Sequence, residues 1–340
     1  MPGSENAQGR RAQSSESRTV LGGSGKTAAS PVICIVGPTA SGKSDLAQAV
    51  ARKIDGEVVS ADSMQVYRGM DIGTGKVIPE DRLVAHHGLD LIDPGKPYSA
   101  ALFQAYARSC FDDIAARGKR AVLAGGTGLY VRAAIDDMTF PKGEQTDNPV
   151  REHYTRFAEE HGAQALWDEL HRIDPTSAEL IHPNNVRRVV RAFEMLSEDS
   201  SYAAQHERLQ RLPQAVPAVF FGLEVDPAVL AARIERRVDA MIEAGLVDEV
   251  KSLLHQGFRR GLTAPQAIGY KEIVWALDGT VSLEEAVEQI KTATRRYAKR
   301  QRTWFRKDAR IRWLNADEGA TASLADQVLA FALGAAAEQR

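Results

Sequence analysis

The run Gly37-Pro38-Thr39-Ala40-Ser41-Gly42-Lys43-Ser44 carries the most specific chemistry in the sequence. It fits the phosphate-loop pattern G-x-x-x-x-G-K-[ST] in full, with a strand pattern before it and a helix pattern after it. The glycines let backbone N–H groups turn toward an anion. The helix N-terminus adds a favourable dipole, Lys43 supplies a point charge and Ser44 can ligate Mg²⁺. Such a loop does not by itself name a reaction. An NTP hydrolase adds a strand ending in Asp that holds Mg²⁺. Here the apolar run Ala121–Ala124 leads into Gly125-Gly126-Thr127-Gly128, which offers a hydroxyl and free amides but no acid. That suits a site that binds a diphosphate without hydrolysing it. A second strand pattern, Glu57 to Ser60, leads into Ala61-Asp62-Ser63-Met64-Gln65. In an open parallel sheet ligands bind beyond the carboxyl ends of the strands, so Asp62 falls beside the phosphate loop. A carboxylate there can accept a proton or ligate Mg²⁺ through water. Alone, Asp62 would read as a turn or cap residue. The loop Asp71 to Lys76 reads as a further anion contact.

The elements that must hold these residues alternate. Strand patterns at Val32–Val36, Glu57–Ser60, Leu89–Ile92 and Ala121–Ala124 are separated by helical ones, notably Ser44–Ile54 and Ala100–Arg117. Alternation of this kind implies a parallel sheet covered on both faces. The texture changes near Pro141. From there to about Leu212 the pattern is helical and rich in Arg, Glu and His, with Pro149, Pro175 and Pro183 each placed to open a helix at its first position. Strand patterns return at Val219–Val225 and Ile311–Leu314, with helices between them and a last helix over 321–338. The expected architecture is α/β: a phosphate-loop core over 31–140 and 213–340, a parallel sheet flanked by helices, and an inserted all-helical subdomain over 141–212. Residues 1–30 have almost no large apolar side chains and read as a disordered tail. They contain no apolar h-region of a secretory signal; a transit peptide is the second reading.

The chain has 340 residues, with 43 Lys+Arg against 45 Asp+Glu and two cysteines. Cys34 and Cys110 cannot build a disulfide framework or a four-Cys zinc site, and both sit in runs that suggest packing. No run is long and apolar enough to span a membrane. The near-zero net charge hides a local imbalance. Between Lys291 and Arg312 stand ten Lys/Arg and one acid, Asp308. Arg295, Lys299, Arg302 and Arg306 recur at helical spacing on one face. A basic stripe of this density favours RNA phosphates over a merely solvated face. Arg187, Arg188 and Arg191 form a second cluster. The interleaved Tyr297, Trp304 and Phe305 read as packing residues.

Taken together, these segments resemble the tRNA dimethylallyltransferase (isopentenyltransferase) family. The matching stretches are GPTASGKS (37–44), ADSMQVYRGMDIGTGK (61–76), GGTGLY (125–130), HPNNVRRVVRAFE (182–194), RIERRVDAMI (233–242), IGYKE (268–272) and KRQRTWFR (299–306). They follow the family's order. Gly75 stands where Ala is usual and Asn185 where Asp is usual, and no C-terminal Cys/His zinc element is present, so the match is to the bacterial type. The resemblance implies a P-loop fold and transfer of a dimethylallyl group from its diphosphate to N6 of the adenosine 3′-adjacent to the anticodon, in tRNAs reading codons that begin with U. It implies that the loop from Gly37 and Pro38 through Thr39, Ala40, Ser41, Gly42 and Lys43 cradles the diphosphate and that Ser44 places Mg²⁺. It makes Asp62 the base, with Thr127 and Arg237 as catalytic partners and Arg233 as a helper. Asp62, Ser63, Met64, Gln65 and Thr127 would meet the extruded nucleotide. Arg151, Arg187, Arg188 and Arg191, with Arg295, Lys299 and Arg302, would meet the tRNA anticodon stem-loop. The implied protein is a cytoplasmic monomer with no membrane partner.

Two competitors share parts of this pattern. A nucleotide-kinase-type enzyme also has a phosphate loop, a parallel sheet and a helical insertion. A non-enzymatic RNA-binding P-loop protein would keep the basic stripe. An all-helical prenyl synthase needs D-D-x-x-D, which Asp112-Asp113 and Asp136-Asp137 fail.

Overall fold

The computed structural model describes residues 30–140, 148–317 and 320–337. The expected tail up to residue 29 and the first residues of the expected insertion, 141–147, lie outside the described residues.

The chain order is β1 (Val32–Val36), α1 (Lys43–Lys53), β2 (Gly56–Ser60), β3 (His86–His87), α2 (Ala100–Ala116), β4 (Arg120–Gly125) and α3 (Gly128–Ile135). Then come α4 (Pro149–Ile173), α5 (Pro175–Glu179), α6 (Val186–Ser197) and α7 (Tyr202–Gln210). The chain returns as β5 (Ala218–Glu224), α8 (Pro227–Glu243), α9 (Leu246–His255), α10 (Tyr270–Leu277), α11 (Leu283–Phe305), β6 (Ile311–Asn315) and α12 (Thr321–Ala337). The strands form one six-stranded sheet in the order β3-β2-β4-β1-β5-β6, and every pairing is parallel. The all-apolar run of β1 is buried along its whole length, as a central strand with both faces covered requires. Because β4 returns between β2 and β1, the carboxyl ends of β1, β2 and β4 share one rim. The phosphate loop, Asp62 and the Gly125–Gly128 turn all leave from it.

Two expectations are corrected. The run Leu89–Ile92 is not a sheet strand: the edge pairing falls earlier, at His86–His87. The chain turns at Gly88 (φ 81°) and Asp90 (φ 56°), which breaks the ladder. Leu91 and Ile92 instead donate to the Val66 carbonyl, and Ile92 bridges Tyr67. Pro183 does not open a helix either. It sits in a turn in which His182 accepts from Asn184 and Asn185, so α6 starts only at Val186. Pro149 and Pro175 do open α4 and α5, behind the caps Asn148 and Asp174.

Helices α4 to α7 build a second apolar cluster, with Leu166, Leu170, Val189, Val190 and Phe193 at its centre. The chain leaves the sheet layer and returns at one neck. There Asp136 bridges Gln214, and Ala215 and Val216 donate to the Ile135 carbonyl. Fully buried Asp136 is ion-paired to Arg132 (2.8 Å) and Arg310 (2.6 Å), which pins the neck to the turn between α11 and β6. Cys34 is buried in the main core and burial pushes its thiol up, while Cys110 is half-buried. Among the described residues no helix is long and apolar enough to cross a membrane.

Candidate active site

One cavity of about 1080 Å³ opens at the carboxyl rim of the sheet. Thr39 to Ser44, Asp62, Gln65, Gly125, Gly126, Arg233 and Arg237 line it. Three segments far apart in sequence, the phosphate loop, the Asp62 loop and α8, thus meet around one space. Helix α8 buries Leu230, Ile234 and Val238, and the helical period then sets Arg233 and Arg237 on its cavity flank.

The phosphate loop has the electrostatics of a cradle awaiting an anion. Among the described residues the buried Ser41 hydroxyl has no hydrogen-bond partner, an orphan that a phosphate oxygen would satisfy. Nor does Lys43 have a carboxylate partner among them; its ammonium donates to the Pro38 carbonyl at 2.5 Å. Burial, with Arg237 nearby, pulls its pKa down to about 7, against a smaller opposing pull from Asp62. Arg237 is likewise depressed by burial, and it donates to the Thr74 carbonyl at 3.4 Å.

Asp62 is held for use at one oxygen. Its Oδ1 accepts from the Met64 amide at 2.9 Å, which orients the carboxylate and, among the described residues, leaves Oδ2 without a hydrogen bond. The Ser63 amide donates to the Thr127 hydroxyl oxygen at 3.1 Å, and that hydroxyl reaches Ser63 Oγ at 3.3 Å. Ser63, Met64 and Thr127 are half-buried beside the cavity and outside its lining, as are Gly37 and Pro38, which are buried. Gln65 lines it, but its amide is already engaged: the oxygen accepts from Ser60 at 2.7 Å and the nitrogen reaches Thr74 and Gly75 carbonyls at 3.3 and 3.5 Å.

Sequence reasoning missed three participants. Gln301 on α11 accepts from the Thr39 amide at 2.9 Å and donates to the Gly126 carbonyl at 3.0 Å, so it ties the phosphate loop to the second glycine loop. The second is Tyr297: burial and the charge of Asp62 push its hydroxyl up to about 12. It was expected to be packing, yet it lines the cavity. The third is Glu249, which holds the loop from Asp71. Helical spacing showed which face these residues share but not what stands opposite. The loop Asp71 to Lys76, read as a further anion contact, lines the cavity at Thr74, Gly75 and Lys76, but Lys76 offers no unpaired charge there. Its ammonium is spent on Asp71 (2.6 Å), Asp90 (2.6 Å) and the Tyr67 carbonyl (2.7 Å), the full set of its donors.

The basic stripe is real as a helix face but not as nine free charges. Arg295 pairs with Glu235 at 2.9 Å, Lys291 with Asp239 at 2.8 Å, and Arg306 with Glu224. Those acids come from α8 and β5, so the local sequence could not show them. Lys299 and Arg302 carry no ion pair among the described residues. In the second cluster Arg151 (2.6 Å) and Arg191 (3.0 Å) clamp buried Glu194, whereas Arg187 and Arg188 are exposed and make no ion pair among the described residues.

The profile of the IPP transferase family matches residues 65–308, and that of the isopentenyl transferases matches residues 30–85. A tRNA dimethylallyltransferase of Carboxydothermus hydrogenoformans is 46% identical over 301 residues, 88% of this chain and 96% of the relative. One from Bacillus subtilis is 44% identical, covering 84% of this chain and 90% of its own. The crystal structure of the tRNA isopentenylpyrophosphate transferase of Bacillus halodurans superposes with a TM-score of 0.66 at 42% identity, over 90% of this chain and 96% of that one. A eukaryotic dimethylallyltransferase acting on tRNA superposes with a TM-score of 0.74 at 29% identity, over 91% of this chain and 80% of that one. With the family's profile spanning most of the chain, and relatives this similar along nearly their whole length, this chain belongs to the tRNA dimethylallyltransferase family.

Proposed function

We propose that this protein transfers a dimethylallyl group from dimethylallyl diphosphate to N6 of the adenosine 3′-adjacent to the anticodon, in tRNAs reading codons that begin with U, releasing diphosphate. The observation that carries this reading is the shared cavity: a carboxylate with one unengaged oxygen faces a phosphate cradle that lacks a hydrolase's acid. Its volume exceeds the few hundred to a thousand Å³ of a typical small-molecule site, which leaves room for a donor and an extruded base.

The adenine amino group is stacked inside the anticodon loop and must be flipped out to reach the rim. Ser63, Met64 and Thr127, beside the cavity, would receive the base, with Gln65 behind them. N6 attacks C1 of the dimethylallyl group, a C–N bond forms, the C1–O bond breaks, and the electron pair leaves with diphosphate. Asp62 takes the N6 proton. The loop amides, the Ser41 hydroxyl, Lys43 and Arg237 meet the charge that develops on the leaving group. Preorganised donors of this kind give the largest single contribution in many enzymes. The oxygen donors at Ser44, Asp45 and Asp62 fit Mg²⁺, which takes hydroxyl, carboxylate, water and phosphate oxygens. Ser44 would hold the ion, which when bound would offset diphosphate charge. Arg187, Arg188, Lys299 and Arg302, aided by the pre-oriented Arg151, Arg191 and Arg295, would grip tRNA phosphates. In this reading the protein acts in the cytoplasm as a monomer.

One incubation tests this: purified protein, Mg²⁺, radiolabelled dimethylallyl diphosphate and unmodified tRNA, followed by digestion to nucleosides. Label on N6 of that one adenosine, in tRNAs reading U-initial codons, is the expected result. Label moving from γ-labelled ATP to a small molecule, with none entering tRNA, overturns it.

A further inference from the structure

Arg237 and Gln65 both lean on the backbone of one short loop, 71–76, through the carbonyls of Thr74 and Gly75. What fixes that loop stands outside the cavity. On its far side the Glu249 carboxylate of α9 accepts three consecutive amides: Asp71 at 3.1 Å, Ile72 at 2.8 Å and Gly73 at 3.3 Å. Three N–H groups turned onto one carboxylate make a charge-assisted nest, stronger than three neutral bonds. The Tyr270 hydroxyl donates to the same carboxylate at 2.6 Å. Fully buried Tyr270 packs its ring against Gly73 so closely that a Cβ there would fall 2.5 Å from the ring. The other end of the loop is held by Lys76, as described above. Glu249 and Tyr270 do not line the cavity.

We infer that Glu249, oriented by Tyr270, is a positioning residue for the diphosphate site: it sets the height of the Thr74 carbonyl and through it the aim of the Arg237 guanidinium. This rests on the proposed reading of the cavity as a diphosphate site. Glu249 touches neither substrate. Its effect must therefore pass through Arg237, and that dependence is measurable.

The test is a double-substitution cycle read by inorganic diphosphate affinity, determined by calorimetry on the full-length protein. Arg237→Ala removes a charge-assisted contact and is expected to weaken binding about tenfold or more. Glu249→Ala is expected to weaken it about threefold to tenfold, and Tyr270→Phe, which removes only the hydroxyl, about twofold to threefold. In Arg237→Ala/Glu249→Ala the second loss should vanish, leaving affinity within about twofold of Arg237→Ala alone. A second readout is the salt dependence of tRNA binding, which Glu249→Ala should leave unchanged because the phosphate-gripping residues lie on other helices. Full additivity, or an equal loss of tRNA affinity, marks general destabilisation and overturns the inference. Wild-type protein that transfers the prenyl group while Glu249→Ala binds diphosphate normally overturns the inference and spares the function. Wild-type protein that binds no diphosphate overturns both.

Discussion

The cations of the cavity and the cations of the RNA-facing surface are treated in opposite ways by the fold. At the cavity, Lys43 and Arg237 are desolvated with no carboxylate in ion-pair contact among the described residues, and both are pushed toward the neutral form. On the surface, cations that look free in sequence are met by acids from other elements: Glu235 for Arg295, Glu224 for Arg306, Asp136 for Arg310 and Glu194 for Arg151, while Arg191 pairs with Glu194 one turn along its own helix. An uncompensated buried cation costs stability until an anion arrives, so it contributes to ligand affinity. A paired surface cation is already neutralised. It holds its side chain in one geometry and adds little net attraction for phosphate. Chemistry and RNA grip should therefore be separable by substitution, and each of the following results sharpens or breaks that division.

The largest effect is expected at Asp62. Asp62→Ala removes the proposed base and should lower the single-turnover transfer rate by about 10² to 10⁴, the usual contribution of general acid–base catalysis. The tRNA dissociation constant should stay within about twofold, because the phosphate contacts lie elsewhere. If tRNA affinity fell as far as turnover, the Asp62 loop would be a binding element and the division would fail.

Legibility follows the same division. The phosphate loop, Asp62 and the Gly125–Gly128 turn could be read because each is a short contiguous signal at a strand end, where the topology fixes its surroundings. Gln301 could not: its partners Thr39 and Gly126 lie far away in sequence, and helical periodicity places Gln301 on a buried face without naming what it meets. Lys76 misled for a related reason. The glycines and hydroxyl around it resemble an anion loop, but Asp71 and Asp90 saturate its ammonium, and Asp90 arrives only through the turn that also breaks the expected strand. The excess of cations over acids between Lys291 and Arg312 is a correct local count. It overstates the charge presented to RNA because helix packing adds acids that a linear window cannot contain.

The next effect is a proton linkage. Unfolded, Lys43 has the ordinary lysine pKa of 10.5; in the folded chain burial brings it down to about 7. Between those values the unfolded chain holds a proton the folded chain has lost, so the protein gains stability as pH rises through that window. Binding runs the other way. A diphosphate favours charged Lys43 and raises its pKa, so at pH 8 binding takes up a proton and affinity falls with rising pH, by up to about tenfold per unit. Calorimetric enthalpies in buffers of different ionisation heat measure the uptake. Lys43→Met should abolish it. Uptake that persisted in that variant would move the titrating group elsewhere and remove the contrast between cavity and surface cations.

Smaller effects discriminate within the surface itself. Arg187 and Arg188 are exposed on α6 and make no ion pair among the described residues, so each should release counterions when it meets a phosphate. Arg187→Ala with Arg188→Ala should flatten the plot of log affinity against log salt by up to about two, the number of phosphates given up.

Arg295→Ala gives the smallest change and the sharpest comparison. Arg295 sits at the start of the basic face, but Glu235 holds its guanidinium at 2.9 Å and Thr292 accepts from it at 3.0 Å. To meet a phosphate it must either share its donors or give up the carboxylate, which already neutralises it and leaves fewer counterions to release. Removing it should therefore change the salt slope by well under one, less than either single Arg187 or Arg188 substitution. Removing its partner should do the reverse: Glu235→Gln frees the cation and should steepen the slope. If Arg295→Ala flattened the slope as much as Arg187→Ala, ion pairing in the free protein would not predict which cations grip RNA. The bound state would then have to exchange Glu235 for phosphate at no cost.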